Sequence, residues 1–211
     1  MILSLTHRFL FIHVPKTAGT SVRVLLSPYS IRPDKSQYRR FLSHLPVRED
    51  PTKADLRQHA TAGFARVKLG DELFSDLYKF TFVRNPFDRM VSAYEFTRSH
   101  TGHHRHDATA RMSFSEFLAA RRTRLSGRRK DQCDFIFDRS GNLLMDDVYR
   151  FESLSDEIAT LCQKLGVEKP ETLPHRKRID RRAYREYYTA KDREIASRMF
   201  ARDLERFDYS F

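Results

Sequence analysis

The 211 residues of this chain predict an α/β domain whose central, mostly parallel β-sheet is flanked by helices. Two observations carry the prediction. Short apolar or alternating runs are typical of buried strands, and segments with helical spacing alternate with them along the chain. The length is sufficient to bury a core, and no segment has the composition of a linker, so residues 1–211 are expected to form a single domain.

The first predicted strand is Phe9–Val14, a nearly continuous apolar run of the kind found in strands buried on both faces. Residues 15–20 contain Pro and Gly and predict a turn, after which Ser21–Leu26 predicts the start of a helix. Residues 27–53 show no clear period and are expected to be irregular. Residues 55–77 are expected to be mainly helical.

A second strand is predicted at Tyr78–Val83, where aromatic and β-branched residues alternate with polar ones. A helix is expected from Pro86, a short helix from Ser113, and a further strand at Val148–Phe151. These elements complete the strand–helix alternation on which the fold class depends.

The carboxyl-terminal third predicts two more helices separated by a basic loop at residues 167–182. Apolar residues recur at helical spacing over 154–165, and Gly166 supplies the stop. The last helix begins near Thr189, with Asp192 placed to complete a capping pair. The apolar side chains that this helix is expected to bury are Ile195, Met199, Phe200 and Leu204.

The composition favours an anionic partner and an intracellular setting. Lys and Arg number 39 against 28 Asp and Glu, which gives a formal charge of +11. The only two cysteines, Cys133 and Cys162, are too few for a disulfide framework. No apolar run approaches the length of a membrane span, and residues 1–14 do not resemble a signal peptide, so a cytoplasmic location is expected.

The segment Val14–Ser21 predicts an anion site between the first strand and the first helix. A helix N-terminus offers unpaired backbone N–H groups, Gly19 permits close approach of the backbone, and Lys16 adds a positive charge. The hydroxyl donors of this segment are Thr17, Thr20 and Ser21. The alternative is an ordinary polar turn. The pattern differs from the nucleotide-triphosphatase P-loop, because the lysine precedes the only glycine.

A second polar segment begins where the second strand ends. Asn85 is a good N-cap, Pro86 suits the first helical position, and Asp88 is an acid in the first turn, so a helix is expected here whatever the function. Arg84 precedes this helix, and Ser92 lies on its polar face. The apolar face is expected to carry Phe87, Met90, Val91 and Tyr94.

Arg84 and Ser92 are candidates to bind a second phosphate, through a bidentate fork and a hydroxyl, because ligands of open parallel sheets bind beyond the carboxyl ends of the strands. For Arg89, on the same polar face, an ion pair with Asp88 or another neighbour is an equally good interpretation.

Together, the segments Phe11–Ser21 and Phe82–Ser92 resemble the two cofactor signatures of the carbohydrate sulfotransferase family, in the branch of the heparan sulfate 2-O- and chondroitin sulfotransferases and small bacterial members. The resemblance extends to residues 59–62, 150–154 and 203–209. It implies a P-loop-like three-layer domain that takes 3′-phosphoadenosine 5′-phosphosulfate (PAPS) as sulfate donor.

By this resemblance, residues Pro15, Lys16, Thr17, Ala18, Gly19, Thr20 and Ser21 bind the 5′-phosphosulfate, while Arg84 and Ser92 bind the 3′-phosphate. The basic segment containing Arg176, Lys177 and Arg178 closes over the nucleotide. Lys16 neutralises the leaving oxygen, and His59 is the expected general base, since histidine accepts a proton at neutral pH. A solvent-facing helix histidine is the alternative for His59. No metal is required, because lysine, arginines and helix N–H groups supply the positive charge.

The acceptor expected from the resemblance is a hydroxyl, most naturally of a glycan or other carbohydrate. Two segments depart from the family pattern: His100–Asp107, whose spacing matches no zinc motif, and Arg121–Lys130, which is too short for a nucleic-acid-binding module. The first is interpreted as a polar loop and the second as a solvated or acceptor-binding surface, so no nucleic-acid partner is expected. The alternatives to a sulfotransferase are a P-loop kinase or hydrolase and a non-catalytic anion- or nucleic-acid-binding module.

Overall fold

The computed structural model describes residues 1–32, 36–124, 131–170 and 181–211. The predicted basic residues Arg176, Lys177 and Arg178 lie outside these ranges, as does the stretch 125–130. The described residues group into two compact units, one formed by 1–83 with 134–176 and one by 84–133 with 177–211. The single domain stays a prediction.

Four strands form the sheet of the first unit. They are β1 (Ile2–Ser4), β2 (Phe9–Ile12), β3 (Tyr78–Val83) and β4 (Asp147–Arg150), in that spatial order. β1 pairs with β2 in antiparallel fashion, whereas β2–β3 and β3–β4 are parallel. The mostly parallel sheet is therefore confirmed, with β2 ending two residues before its predicted end and β4 displaced by one. β1 has three residues, too short to show a sequence period.

The helices of the described residues are α1 (Gly19–Leu26), α2 (Gln37–Leu42), α3 (Ala62–Leu69), α4 (Asp71–Asp76), α5 (Pro86–Ser99), α6 (His106–Ala110), α7 (Phe114–Arg124), α8 (Cys133–Ile136), α9 (Leu154–Leu165), α10 (Ala190–Met199) and α11 (Ala201–Arg206). Three short 3₁₀ turns lie at Ser27–Tyr29, Phe151–Ser153 and Tyr184–Tyr187. None of these helices combines the length and the apolar composition needed to cross a bilayer.

The core of the first unit is built on the aromatic side chains of β2 and β3. Every residue of β2 is buried, which agrees with its continuous apolar run, and every residue of β3 except Tyr78 is buried as well. Helices α1 and α9 pack on this aromatic layer. The residues that form the contact include Phe9, Phe11, Phe80, Phe82, Val22, Leu26, Ile158 and Leu161. The flanking helices therefore fix β2 and the loop that follows it.

One prediction for the first unit was wrong, and one holds for most of its residues but not for all of them. Residues 27–53 are not wholly irregular, because α2 lies there; none of its residues is buried, so no hydrophobic period marks it. Residues 55–61 are not helical. Thr61 caps α3 by accepting a hydrogen bond from the backbone N–H of Phe64, and Gly70, at φ +83°, separates α3 from α4.

Local capping in the second unit follows the sequence. Asn85 Oδ1 accepts from the N–H of Phe87 at 3.0 Å and begins α5, whose predicted apolar face is buried. Thr189 and Asp192 form the predicted capping box of α10. The last helix is interrupted at Phe200 and continues as α11; Phe200 is buried, whereas Ile195, Met199 and Leu204 are only partly buried.

Candidate active site

The loop between β2 and α1 has an unusual backbone. Lys16 and Ala18 adopt φ of 69° and 63°, in the left-handed region that residues other than glycine rarely occupy. Each such residue costs on the order of 1 kcal/mol, so the surrounding structure must hold it in place. The loop is therefore a defined feature of the fold.

Hydrogen bonds inside the loop show what holds it. Thr17 is fully buried, and its hydroxyl donates to the carbonyl of Val14 at 3.0 Å. The carbonyl of Ala18 accepts from the N–H groups of Ser21 and Val22 at 2.8 and 3.2 Å. The Thr17 hydroxyl closes the loop, so a contribution of this residue to an anion site would come from its backbone.

The first turn of α1 has the character expected of an anion site. Ala18, its N-cap residue, provides no side-chain cap, and the first turn contains no acidic residue. The positive end of the helix dipole is thus not offset locally, and Lys16 lies in the loop directly before it. A phosphate or sulfate group is the chemistry that this arrangement favours.

Gly19 is required by packing against His13. A Cβ atom built on Gly19 would lie 1.9 Å from Cδ2 and from Nε2 of the His13 ring. His13 follows β2 directly and is only 3% exposed. The sequence predicted that Gly19 lets the backbone come close to an anion. In the structure, the buried ring of His13 occupies the space beside Gly19.

His59 lies against the same histidine, and its proton arrangement suits a base. Its Nδ1 is 3.1 Å from the carbonyl oxygen of His13, and the two ring centroids are 4.5 Å apart. Because a carbonyl only accepts, Nδ1 carries the proton, and in the neutral ring Nε2 holds the lone pair. Desolvation by the surrounding atoms lowers the pKa of His59, although the residue as a whole is exposed.

The lowered pKa favours the neutral, proton-accepting form of His59 at neutral pH. His59 lies in the segment before α3 and not within a helix, but it is exposed, so its role as the base stays a prediction. The first unit thus brings Gly19, His13 and His59 into contact beside the predicted loop.

In the second unit, Arg84 is held by a carboxylate. Its Nε and Nη2 lie 2.8 and 2.6 Å from the same oxygen of Asp88, and Arg181 pairs with the other oxygen. The Arg84 side chain is 9% exposed. The guanidinium is therefore fixed in orientation, with Nε and Nη2 both bound to Asp88. Ser92 lies two turns further along α5, half-buried.

Arg89 belongs to the interior. Its Nη2 is 3.7 Å from an oxygen of the fully buried Asp203, and its guanidinium carbon lies 5.7 Å from the ring centroid of Phe200. Arg89 therefore has an ion-pair partner, but the partner is Asp203 and not the predicted Asp88, which pairs with Arg84 and Arg181. Arg89 is buried and does not extend the polar face of α5 into solvent.

Gln132 is a supporting residue that the sequence did not reveal. Its side chain is fully buried, accepts from the backbone N–H of Arg84 at 2.9 Å and donates to the Arg84 carbonyl at 2.8 Å. Its own N–H donates to Asp203 at 2.8 Å. No periodic or motif signal connects residues so far apart in sequence, so only the folded chain identifies this role.

The other segments singled out in the sequence bear no metal cluster where the structure describes them. Among those residues, no group of three or more His, Cys, Asp or Glu is placed to bind a metal. The rings of His103 and His104 stack at 4.5 Å, and His103 also contacts the ring of Phe96. Cys133 and Cys162 are buried free thiols whose pKa values burial raises, so both are unreactive.

Comparison with known proteins decides the family. The model of the sulfotransferase family matches residues 1–210. This chain belongs to the sulfotransferase family. No curated protein matches the sequence. The sulfotransferase prediction is thereby confirmed over the kinase, hydrolase and non-catalytic alternatives, whereas the carbohydrate branch stays a prediction.

Two solved sulfotransferase structures are similar. The mouse sulfotransferase SULT7A1, solved in complex with PAP, has a TM-score of 0.56 and 11% identity; the match covers 98% of this chain and 88% of the mouse chain. This likeness supports the P-loop-like α/β fold. The second structure is a sulfotransferase from Alicyclobacillus acidocaldarius, with a TM-score of 0.46 and 18% identity. The match covers 96% of this chain and 98% of that chain.

Proposed function

We propose that this sulfotransferase moves a sulfuryl group from PAPS to a hydroxyl group of a carbohydrate. The observation that carries the proposal is the pairing, in one unit, of an uncapped helix N-terminus behind Lys16 with a histidine whose Nε2 is the free base position. Membership of the sulfotransferase family supplies the reaction class. The mouse neighbour was solved with PAP, the nucleotide that PAPS leaves behind after transfer, which supports PAPS as donor.

The 5′-phosphosulfate end of the donor is assigned to the loop and the first turn of α1. Backbone N–H groups at the helix start and the charge of Lys16 would bind its oxygens. The residues assigned to this end are Pro15, Lys16, Thr17, Ala18, Gly19, Thr20 and Ser21. The fixed backbone at Lys16 and Ala18 supports the assignment, because a preformed anion site needs little reorganisation on binding.

The 3′-phosphate is assigned to Arg84 and Ser92. The contact of Arg84 with Asp88 supports this, since it fixes the orientation of the guanidinium plane. The position of Arg84 directly after β3 also supports it, because ligands of open parallel sheets bind beyond the carboxyl ends of the strands. Arg176, Lys177 and Arg178 are proposed to close over the nucleotide.

The transfer step balances as an in-line displacement. His59 Nε2 takes the proton of the acceptor hydroxyl as its oxygen forms a bond to sulfur. The bond between sulfur and the bridging phosphate oxygen breaks, and that oxygen leaves on PAP with the electron pair. Lys16 offsets the negative charge that develops on the leaving oxygen. No step requires a metal ion, since protein groups supply the positive charge.

A carbohydrate is the proposed acceptor, and a cytoplasmic location is proposed with it. The net charge of +11 favours acceptors and cofactors that carry negative charge. The described part of Arg121–Lys130 is consistent with a solvated or acceptor-binding surface, since Arg122 is exposed.

The experiment that tests the proposal is incubation of the enzyme with PAPS and a panel of hydroxyl acceptors, followed by mass spectrometry. We expect a mass increase of one sulfuryl group on a carbohydrate and stoichiometric release of PAP. Thermal shift with PAP, adenosine 5′-phosphate and ATP complements it, and PAP should stabilise most. Sulfation of a hydroxyl outside a carbohydrate would contradict the proposed acceptor. A larger rise in melting temperature with ATP than with PAP would contradict PAPS as the donor.

A further inference from the structure

The buried ring of His13 lies at the centre of the contacts around the proposed base. It stacks on Phe11 with ring centroids 5.8 Å apart, packs over Gly19, and lies 4.5 Å from the ring of His59. Its carbonyl accepts the Nδ1–H of His59 at 3.1 Å. One residue thus contacts the first residue of α1 with its ring and orients His59 with both ring and backbone.

The proton of His13 is fixed by Gln58. Arg23 Nη1 lies 3.5 Å from Gln58 Oε1, and because a guanidinium only donates, that oxygen is the acceptor. The amide nitrogen of Gln58 therefore faces His13 Nδ1, at 3.2 Å, and donates to it. An Nδ1 that accepts a hydrogen bond carries no proton, so the ring is neutral and its proton is on Nε2.

The charges around His13 also oppose its protonation. A cationic His13 would present an N–H to the Gln58 amide and place two donors face to face. The N-terminal end of α1, beside Gly19, adds positive potential. The described groups beside the ring or its amide partner include His59, Arg23 and the amino group of Met1, which donates to the Gln58 carbonyl at 2.9 Å. Burial and the nearby Arg23 lower the pKa of the Met1 amino group to about 5, against a smaller opposing effect of Asp55.

We propose that His13 is a positioning residue for sulfuryl transfer: a permanently neutral histidine, held by Gln58, that sets the orientation and the desolvation of His59. The inference rests on the proposed role of His59 as the base. In this proposal, His13 and Gln58 keep the His59 ring in the Nδ1–H tautomer. The loop that carries Lys16 follows His13 in the sequence.

A direct test is the state of the histidine rings in the complete chain. Long-range ¹H–¹⁵N spectra separate the Nε2–H tautomer, the Nδ1–H tautomer and the imidazolium, and loss of one signal in His13→Asn and in His59→Gln assigns the two rings. We expect His13 to remain Nε2–H and neutral from about pH 5.5 to about pH 8.5, which spans the ordinary histidine range. His59 should show Nδ1–H when neutral. Titration of His13 to the imidazolium within this range, or an Nδ1–H tautomer, overturns the inference.

Gln58→Ala is the matched variant, because Gln58 is exposed and its side chain contributes little to the core. Without the amide, His13 should become able to titrate in the same spectra. A His13 that stays neutral in Gln58→Ala removes the role of Gln58. This measurement needs no activity, so it distinguishes failure of the positioning role from failure of His59 as the base.

Kinetics supply the second readout. His13→Asn removes the ring, misplaces His59 and exposes more of it to water, so kcat should fall by about 10- to 100-fold. The acid limb of kcat should move to higher pH, because a better-solvated His59 regains a higher pKa. His13→Phe keeps a ring over Gly19 and His59, so its limb should stay close to that of the wild type. His44→Gln, at an exposed histidine, is the control. An unmoved limb in folded His13→Asn contradicts the proposal.

Discussion

Gly19 and His13 are packed so closely that a single methyl group on the glycine would overlap the imidazole ring, with a Cβ only 1.9 Å from two of its atoms. Neither residue can move easily, because His13 is buried and stacks on Phe11, and Gly19 is the first residue of α1. The loop that carries Lys16 is therefore held at its two ends by one side-chain contact.

Gly19→Ala should destabilise the protein by about 1–3 kcal/mol, because the ring cannot move away without disturbing the core. Thermal unfolding measures the loss, and donor affinity should fall with it. Gly63→Ala is the control, since a methyl group added there would meet no atom within 4 Å. Gly63 lies within α3, so alanine there should stabilise slightly, by about 0.5–1 kcal/mol. Equal effects of the two substitutions would contradict the packing argument.

Lys16→Ala should lower kcat far more than it weakens nucleotide binding. Its charge acts most strongly when the bridging oxygen carries the developing negative charge, so the loss appears in the transition state. Steady-state kinetics with titration of PAP by calorimetry separates the two effects. If kcat holds while only the KM for PAPS rises, Lys16 serves binding alone.

His59→Ala and His59→Gln should each lower kcat by ~10²–10⁴-fold while leaving the affinity for PAP unchanged. Wild-type kcat should rise with pH as His59 loses its proton. Because desolvation lowers the pKa of His59, the midpoint should lie below the ordinary histidine value of about 6.5, and activity should be lost only as pH falls through that lower pKa. Near-normal turnover of His59→Ala with the same acid limb would transfer the base role to another histidine.

Arg84→Lys should reduce the preference for PAP over adenosine 5′-phosphate by about 10- to 100-fold, the value of a hydrogen bond to a charged group. Lysine cannot reproduce the fork that Asp88 holds in place. Calorimetric affinities for the two nucleotides give the ratio, and Arg98→Lys at an exposed position of α5 is the control. An unchanged ratio would mean that Arg84 does not contact the 3′-phosphate.

Lys68 and Glu49 form a buried ion pair that holds the segment after α2 to α3, with side chains 0% and 2% exposed. Lys68 Nζ also donates to the Leu42 carbonyl at 2.8 Å, and Arg39 pairs with the second Glu49 oxygen at 3.2 Å. Glu49→Ala leaves the lysine charge buried without its carboxylate and should destabilise by about 3–5 kcal/mol. Urea unfolding tests this, and Glu49→Leu with Lys68→Met should recover much of the loss. Glu49→Ala with wild-type stability would contradict it.

The sequence determined the features that depend on neighbouring residues. The apolar runs of β2 and β3, the Asn85 cap and the Thr189–Asp192 box follow from local periodicity and backbone hydrogen bonding, and all are present. The two motifs pointed to the family for the same reason, because each is a continuous segment with its own chemistry. The exposed helix α2 was missed, since a helix that buries nothing shows no period.

Only the tertiary structure decided which distant groups meet. Gln132 holds both backbone groups of Arg84, Asp203 holds Arg89, and the ring of His13 fills the space over Gly19 and orients His59. These contacts depend on which buried polar groups find partners once the chain is compact, since an unpaired buried group costs about 1–3 kcal/mol. Any suitably placed donor or acceptor in the fold can pair with a buried polar group. The partner therefore has no fixed spacing along the sequence and cannot be predicted from it.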